Sequence, residues 1–170
     1  DKVLIERAGD VIPHVIKVIE TKSKKRSSAP KPPKLCPVCG SKIIIDPDEV
    51  VVRCSGTFKC DAQIIARIKH FVSRSALDIE GLGEKQINLF YNEKLVRKYS
   101  DIFRLADKKK QICDLEGWGE LSFNNLITAI QAKKKIELSK LLYALGIRFI
   151  GDKNSRMIAS AFKSTKDFNA

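Results

Sequence analysis

Four of the five cysteines fall in two close pairs, Cys36-x2-Cys39 and Cys54-x5-Cys60, with 14 residues between the pairs. Zn2+ takes four soft ligands in a tetrahedron, and two close thiolate pairs joined by a short hairpin deliver four sulfurs to one point. Pro37 and Gly40, within CPVCG, suit a tight knuckle whose backbone amides face sulfur. Disulfides, unlinked core thiols and an iron–sulfur cluster are the alternatives, and disulfides would need an oxidising compartment for which nothing in the sequence argues. The reading adopted is structural zinc on Cys36, Cys39, Cys54 and Cys60. A site closed by four cysteines leaves no open position for water, so it staples a fold and does not catalyse. Cys113 stands alone and reads as a small buried hydrophobe.

A second pattern is a repeated corner. Ile79-Glu80-Gly81-Leu82-Gly83-Glu84-Lys85 and Leu115-Glu116-Gly117-Trp118-Gly119-Glu120 follow one design 36 residues apart. A degenerate copy, Ile147-Arg148-Phe149-Ile150-Gly151-Asp152, keeps the second glycine 32 residues further on. Paired glycines let a turn between helices adopt angles that other residues resist, and no Cβ blocks the approach of a phosphate. Amides at the start of the following helix carry partial positive charge. Such a turn grips a nucleic-acid backbone without reading bases. The competing reading makes each glycine a helix cap; the repetition and the basic charge favour phosphate binding. Lys85 and Arg148, beside the corners, are candidate DNA-binding residues, and Arg74, just before the first corner, is placed to meet a phosphate, with a partnerless surface arginine as the rival reading. Leu82 and Trp118, between the glycines, are expected to pack inward. Phe149 stands where the first glycine of the third corner would be, which argues against a tight phosphate grip there.

The elements that must position these groups are legible in outline. Val3–Ile5 and Val15–Ile19 read as short strands around an Ala8-Gly9-Asp10 turn, with Pro13 at an edge or strand start. Two strands do not make a stable sheet, so residues 1–20 look like the trailing edge of a larger β domain. Three prolines in four residues, Pro30, Pro32 and Pro33, place an extended tether in residues 21–35. Ile43–Ile45 and Val50–Val52 read as a hairpin around Asp46-Pro47-Asp48-Glu49. From Asp61 the period changes: Ile64, Ile65, Ile68, Phe71 and Val72 share one helix face. Six to eight short helices are expected from there to the end. Lys108–Lys110 and Lys133–Lys135 are expected to end helices, where cations suit the dipole.

The chain has 170 residues, 32 Lys and Arg against 20 Asp and Glu, a net charge of +12 and a pI near 9.6. Residues 1–35 carry +5, residues 36–69 carry +1 and residues 70–170 carry +6, so the excess lies on either side of the cysteine cluster. This fits a clip flanked by segments that face a polyanion. The 44% hydrophobic content argues against wholesale disorder. No apolar run approaches the roughly 20 residues of a membrane span, and no stretch reads as a signal peptide. The chain starts at Asp1, which is expected of an internal piece of a longer protein. No P-loop, His-Glu-x-x-His or Lys-x-Asp-Gly is present. His14 and His70 belong to no catalytic or metal pattern, so no catalytic residue is assigned.

The ordered motifs AGDVIP, C-x2-C-x14-C-x5-C, CDAQ, HFVSR, GLGEKQI and LLYALGIRFIG resemble the C-terminal half of bacterial NAD+-dependent DNA ligases over essentially the whole chain. The resemblance implies an α+β, multi-module chain: a partial oligonucleotide-binding (OB) barrel and linker in residues 1–33, a four-cysteine zinc finger in 34–65, and an incomplete helix-hairpin-helix domain in 66–170. It implies zinc on the four paired cysteines. It places Gly81, Gly83, Gly117, Gly119 and Gly151 at hairpin turns meeting the DNA backbone, with Arg74 nearby. Arg7 and Asp10 fall in the barrel motif, with no derived role. That family forms an adenylyl-lysine from NAD+, passes AMP to the 5′ phosphate of a nick and seals it, with NAD+ and Mg2+ handled by N-terminal domains. The expectation is therefore a bacterial, cytoplasmic, nucleoid-associated part that holds nicked duplex DNA without sequence preference and is inactive alone. The competing expectations are a non-enzymatic DNA-binding module and a protein–protein scaffold.

Overall fold

The computed structural model describes residues 2–9, 12–19, 28–45 and 51–162. Asp10, residues 21–27 of the tether, and the Asp46–Glu49 turn with Val50 lie outside the described residues. The chain divides into two compact units, Asp1–Pro33 and Lys34–Ala170.

In the first unit the β-branched runs form β1 (Lys2–Ala8) and β2 (Ile12–Ile19), an antiparallel ribbon with Leu4 opposite Lys17 and Arg7 opposite Pro13. A bulge between Leu4 and Ile5 interrupts the ladder. Gly9 takes a left-handed φ of 69° beyond the end of β1. Both faces of β2 are exposed, so the apolar side chains of Ile12, Val15 and Ile16 find no core within the ribbon. Residues 28–33 then run without regular secondary structure, as their prolines require.

The second unit opens with β3 (Ile43–Ile45) and β4 (Val52–Cys54), paired so that Ile43 faces Cys54. The second strand lies two residues later than the Val50–Val52 reading. Its ladder runs through Arg53 into Cys54, so the hairpin carries a cysteine on its own backbone.

Helices follow: α1 (Asp61–Val72), α2 (Glu84–Asn92), α3 (Tyr99–Ile102), α4 (Lys109–Cys113), α5 (Glu120–Ala132), α6 (Leu138–Ala144) and α7 (Asp152–Ala161). The α1 stripe turns inward as its period demands, burying Ile68, Phe71 and Val72. These residues join Ile79, Leu82, Ile87, Phe90, Leu105, Ile112, Leu126 and Ile130 in one contiguous core. The Phe71 ring stacks on Tyr99 at 4.4 Å between centroids. Asp101 accepts the amides of Arg97 and Lys98 at 2.9 and 3.1 Å, satisfying donors at the start of α3. Cys113 is half-buried against the core.

The lysine triplets behave differently from one another. Lys133–Lys135 follow the end of α5, as the dipole argument expects. Lys108 closes a short 3-10 helix, Leu105–Lys108, but Lys109 and Lys110 open α4. Two contacts offset that placement: Lys108 donates to the Leu95 carbonyl at 2.7 Å, and Lys109 pairs with Glu120 at 2.7 Å.

Phe90 has no solvent exposure and meets the Trp118 ring at 5.1 Å. Phe90→Ala is expected to cost about 3–5 kcal/mol in denaturant unfolding, as large-to-small changes at fully packed sites do.

Candidate metal centre and nucleic-acid interface

The metal centre is built from two knuckles. In the first, the Gly40 amide donates to the Cys36 carbonyl at 2.9 Å, and the Cys36 amide donates to the Ser41 carbonyl at 2.8 Å. Gly40 completes the reversal at a left-handed φ of 68°. In the second, the chain leaves β4 at Cys54, the Gly56 amide points at the Cys54 sulfur at 3.2 Å, and a 3-10 turn, Thr57–Lys59, delivers Cys60 to the start of α1. Gln63, one turn into α1, donates to the Cys54 carbonyl at 2.9 Å and ties the helix to the knuckle.

The four Sγ atoms all lie within 4.8 Å of one another, and Cys39 and Cys54 approach to 3.4 Å. A tetrahedron with Zn–S bonds of about 2.3 Å has edges of about 3.8 Å, so this set closes around zinc with small adjustments. The Ser41 hydroxyl and amide, donating to the Cys39 sulfur, hold that thiol down at about 6. At Cys54 the Gly56 amide favours the thiolate, but burial and the neighbouring Cys39 and Cys36 sulfurs outweigh it and push the thiol up to about 11. Thiols crowded this closely cannot all ionise without a cation among them, which is the electrostatic role that zinc fills. The centre has a structural donor set: four sulfurs and no position left for water.

Gly56 belongs to this centre although no motif in the sequence singles it out. A Cβ there would sit 2.8 Å from Cys39 Sγ and 2.9 Å from Ser41 Oγ. Its position two residues after Cys54 was the available signal.

The three corners share one backbone. Gly81, Gly117 and Phe149 take left-handed φ angles of 85°, 78° and 67°. The next residue closes a turn: the amides of Leu82, Trp118 and Ile150 donate to the carbonyls of Ile79, Leu115 and Ile147 at 3.3, 3.0 and 3.0 Å. The third residue is extended and starts a helix: Gly83 before α2, Gly119 before α5, Gly151 before α7. Leu82 is buried and Trp118 partly buried against the core, as expected, while the flanking glycines are exposed. No side-chain hydrogen bond caps α2 or α7. The corners are not identical, because the Gly119 amide donates to Ser122 Oγ at 2.9 Å.

Each of these helices begins with an acid, and each acid has a cation. Glu84 pairs with Lys69 at 2.6 Å, Glu120 with Lys109 at 2.7 Å, and Asp152 with Arg156. The hydrogen bond and charge of its lysine hold each glutamate carboxyl below its ordinary value. Acids at these positions suit a helix N-terminus, and each of the three has its field partly cancelled by its cation.

Arg74, Gly81 and Gly83 line one cleft of about 760 Å3, joined there by Lys69, Ser73 and Lys133. A second cleft of about 630 Å3 runs from Gly81 to Gly117 over Asn125 and Thr128 of α5. The two clefts share Glu80, Gly81, Ala129 and Ala132, so the first two corners open onto one continuous trough. Gly119 is exposed at the head of α5, and Lys85 is exposed on the first turn of α2, outside both clefts. Gly151 lies in a separate hollow of about 390 Å3 with His70, Tyr143 and Phe149. Arg148 is exposed, its guanidinium 4.5 Å over the Phe149 ring. Arg7 sits in β1 of the other unit.

Sequence reasoning missed Lys133 and Ser73 as cleft residues, because no periodicity links the end of α5 to the end of α1. It also gave His70 no role. His70 Nε2 donates to the Tyr143 carbonyl at 2.9 Å, and a Cβ at Gly146 would come 3.2 Å from the His70 ring. His70 thus pins the approach to the third corner onto α1.

Two outcomes are expected of the metal centre. Gly56→Ala should lower zinc affinity about 10–100-fold in a chelator competition, as changes to groups supporting metal ligands do. Stripping the zinc should leave most of the helical circular dichroism intact, because none of the four cysteines belongs to the buried core of α1–α6.

Comparison with known proteins gives these features a context. Residues 36–62 match the family model of the NAD-dependent DNA ligase C4 zinc finger domain. The DNA ligase of Afipia carboxidovorans is 45% identical over 174 aligned residues, covering 100% of this chain and 25% of that protein. The DNA ligase of Nitrobacter winogradskyi is 43% identical over 174 residues, and that of Thermodesulfovibrio yellowstonii 44% over 167, each aligned over 24% of its own length. The chain thus spans about a quarter of the length of the relatives it matches. Across its whole length the chain is similar to a quarter-length segment of these DNA ligases, and its four-cysteine module matches the C4 zinc finger of the NAD-dependent class.

Proposed function

We propose that this chain is the DNA-gripping part of an NAD+-dependent DNA ligase, and that its corners are helix-hairpin-helix clamps on the backbone of nicked duplex DNA. The observation that carries the reading is the trough shared by Gly81 and Gly117, with Arg74, Lys69 and Lys133 along it. A phosphate arriving at the first corner meets exposed main chain, then the uncapped start of α2, then a cation. Nothing in that sequence of contacts depends on base identity, so one surface serves any nick. The paired acids at the helix starts fit the same purpose, since Lys69 and Lys109 reduce the repulsion that Glu84 and Glu120 would exert on phosphate.

In this proposal the β1–β2 ribbon is the edge of an OB barrel, which would cover the apolar side chains left exposed in the ribbon. Residues 34–65 form the zinc finger that fixes the start of α1, and residues 66–170 the helix-hairpin-helix part. The resident metal is Zn2+, and among the described residues the one cluster of three or more metal-donor side chains is the four cysteines. NAD+, Mg2+ and the adenylated lysine belong in this reading to catalytic domains of the same protein, which are partners of this part. The relatives are bacterial DNA ligases, which supports work in the bacterial cytoplasm, at the nucleoid.

Fluorescence anisotropy with nicked duplex tests the reading. With six or more phosphates neutralised, affinity should fall about a thousandfold between roughly 50 and 200 mM salt. Arg74→Ala and Lys133→Ala should each weaken binding on every sequence and lower the salt slope by about 1. The chain with NAD+ and Mg2+ should leave nicks unsealed. No binding at low salt would instead make the corners packing devices of a protein scaffold.

A further inference from the structure

The third corner departs from the other two in a way that points outward. Phe149 holds a left-handed φ of 67°, the conformation taken by Gly81 and Gly117 in the other corners. At Gly117 a Cβ would meet nothing within 4 Å, and at Gly81 it would reach only ordinary contact with Leu126 at 3.6 Å, so the corner backbone forms without a side chain at this position. An aromatic residue here carries backbone strain that glycine would not. Burial does not compensate, because Phe149 is 73% exposed. The strain is held in place from below: Asn154, on the first turn of α7, donates to the Phe149 carbonyl at 2.7 Å. Gly151 follows as the uncapped start of α7, with Lys153 exposed beside it.

A strained, exposed aromatic ring with a guanidinium laid over it is poorly explained by folding alone. Residues that break a local rule without a packing gain concentrate where a ligand is met. Charge selects the ligand. Arg148 lies over the ring, Lys153 is exposed on the first turn of α7, and the acid at the start of α7, Asp152, is already paired with Arg156. A ring presented in this setting suits a surface that alternates phosphate with apolar sugar faces, which is the wall of a DNA groove.

We propose that Phe149 is a DNA-contacting residue, and that the third corner grips duplex DNA by laying this ring against deoxyribose in the groove while Arg148 meets the adjoining phosphate. The inference rests on the DNA-binding reading of the other corners and extends it. The first two corners hold the backbone with bare main chain; the third adds apolar contact, which salt does not screen.

Phe149→Gly tests it, because a structural and a binding role move two readouts differently. The variant relieves the left-handed strain, so its Tm should equal or exceed that of the parent chain. Its affinity for nicked duplex should fall about fivefold or more, with the salt slope unchanged, because no charge is removed. Phe149→Leu keeps an apolar side chain and should fall between the two. Replacing Phe149 by p-benzoylphenylalanine should give a light-dependent crosslink to duplex. Equal affinity of Phe149→Gly and the parent, or no crosslink, would overturn the inference and leave the DNA-binding reading standing. Failure of the parent chain to bind duplex at low salt would overturn both.

Discussion

The first two corners are fixed by one constraint: the middle side chain points inward. Leu82 is buried and Trp118 packs against Phe90 at the core. In a three-residue turn, anchoring the centre leaves the flanking residues no choice but to face water. The first flank must then adopt a left-handed angle and the second an extended one, and the helix that follows starts at the surface with its amides forward. Exposure of the corners is thus a consequence of burial at their centres. The same apolar cluster that stabilises the helices sets the polarity of the surface above it.

The metal centre solves a different problem. The hairpin β3–β4 has three residues per strand, too few to build a core, and its isoleucines and valines are largely exposed. What holds it is convergence of sulfur. Cys54 arrives on a strand, Cys60 on the residue before α1, and the CPVCG knuckle closes from the other side. The crowding that zinc relieves also dictates Gly56, the one residue small enough to pass between Cys39 and Cys54. Because Cys60 directly precedes α1, the position of the clip is transmitted to the helix that ends beside Arg74 and the first corner.

Charge is arranged with similar economy. A net charge of +12 would favour any polyanion, but the acids most able to repel one stand at the helix starts, where the dipole favours them. Pairing with Lys69, Lys109 and Arg156 keeps that helix stabilisation while muting the local negative field. Exposed ion pairs of this kind contribute little to stability, so their value lies in the potential they leave at the surface.

The sequence by itself determined whatever depends on residue type and local spacing. Thiolate pairs at short intervals dictate a metal clip, Gly-x-Gly between apolar positions dictates a corner, and the stripe from Ile64 to Val72 dictates α1. Other features required tertiary structure, because they join residues that no local period connects. The sequence placed the second zinc-module strand two residues early, since a run of valines says nothing about which backbone groups find partners. It expected Lys109 and Lys110 to end a helix, and only the fold brought Glu120 to offset their position at the start of one. Phe149 read as a broken corner because sequence registers a lost glycine but not its angle. The surrounding turn, closed by Ile147, Ile150 and Asn154, forces the left-handed conformation on whatever residue stands there. The trough of Arg74, Gly81, Gly117 and Lys133 likewise exists only because one core draws α1 and α5 together: backbone conformation follows short-range chemistry, whereas a surface is decided by what packs beneath it.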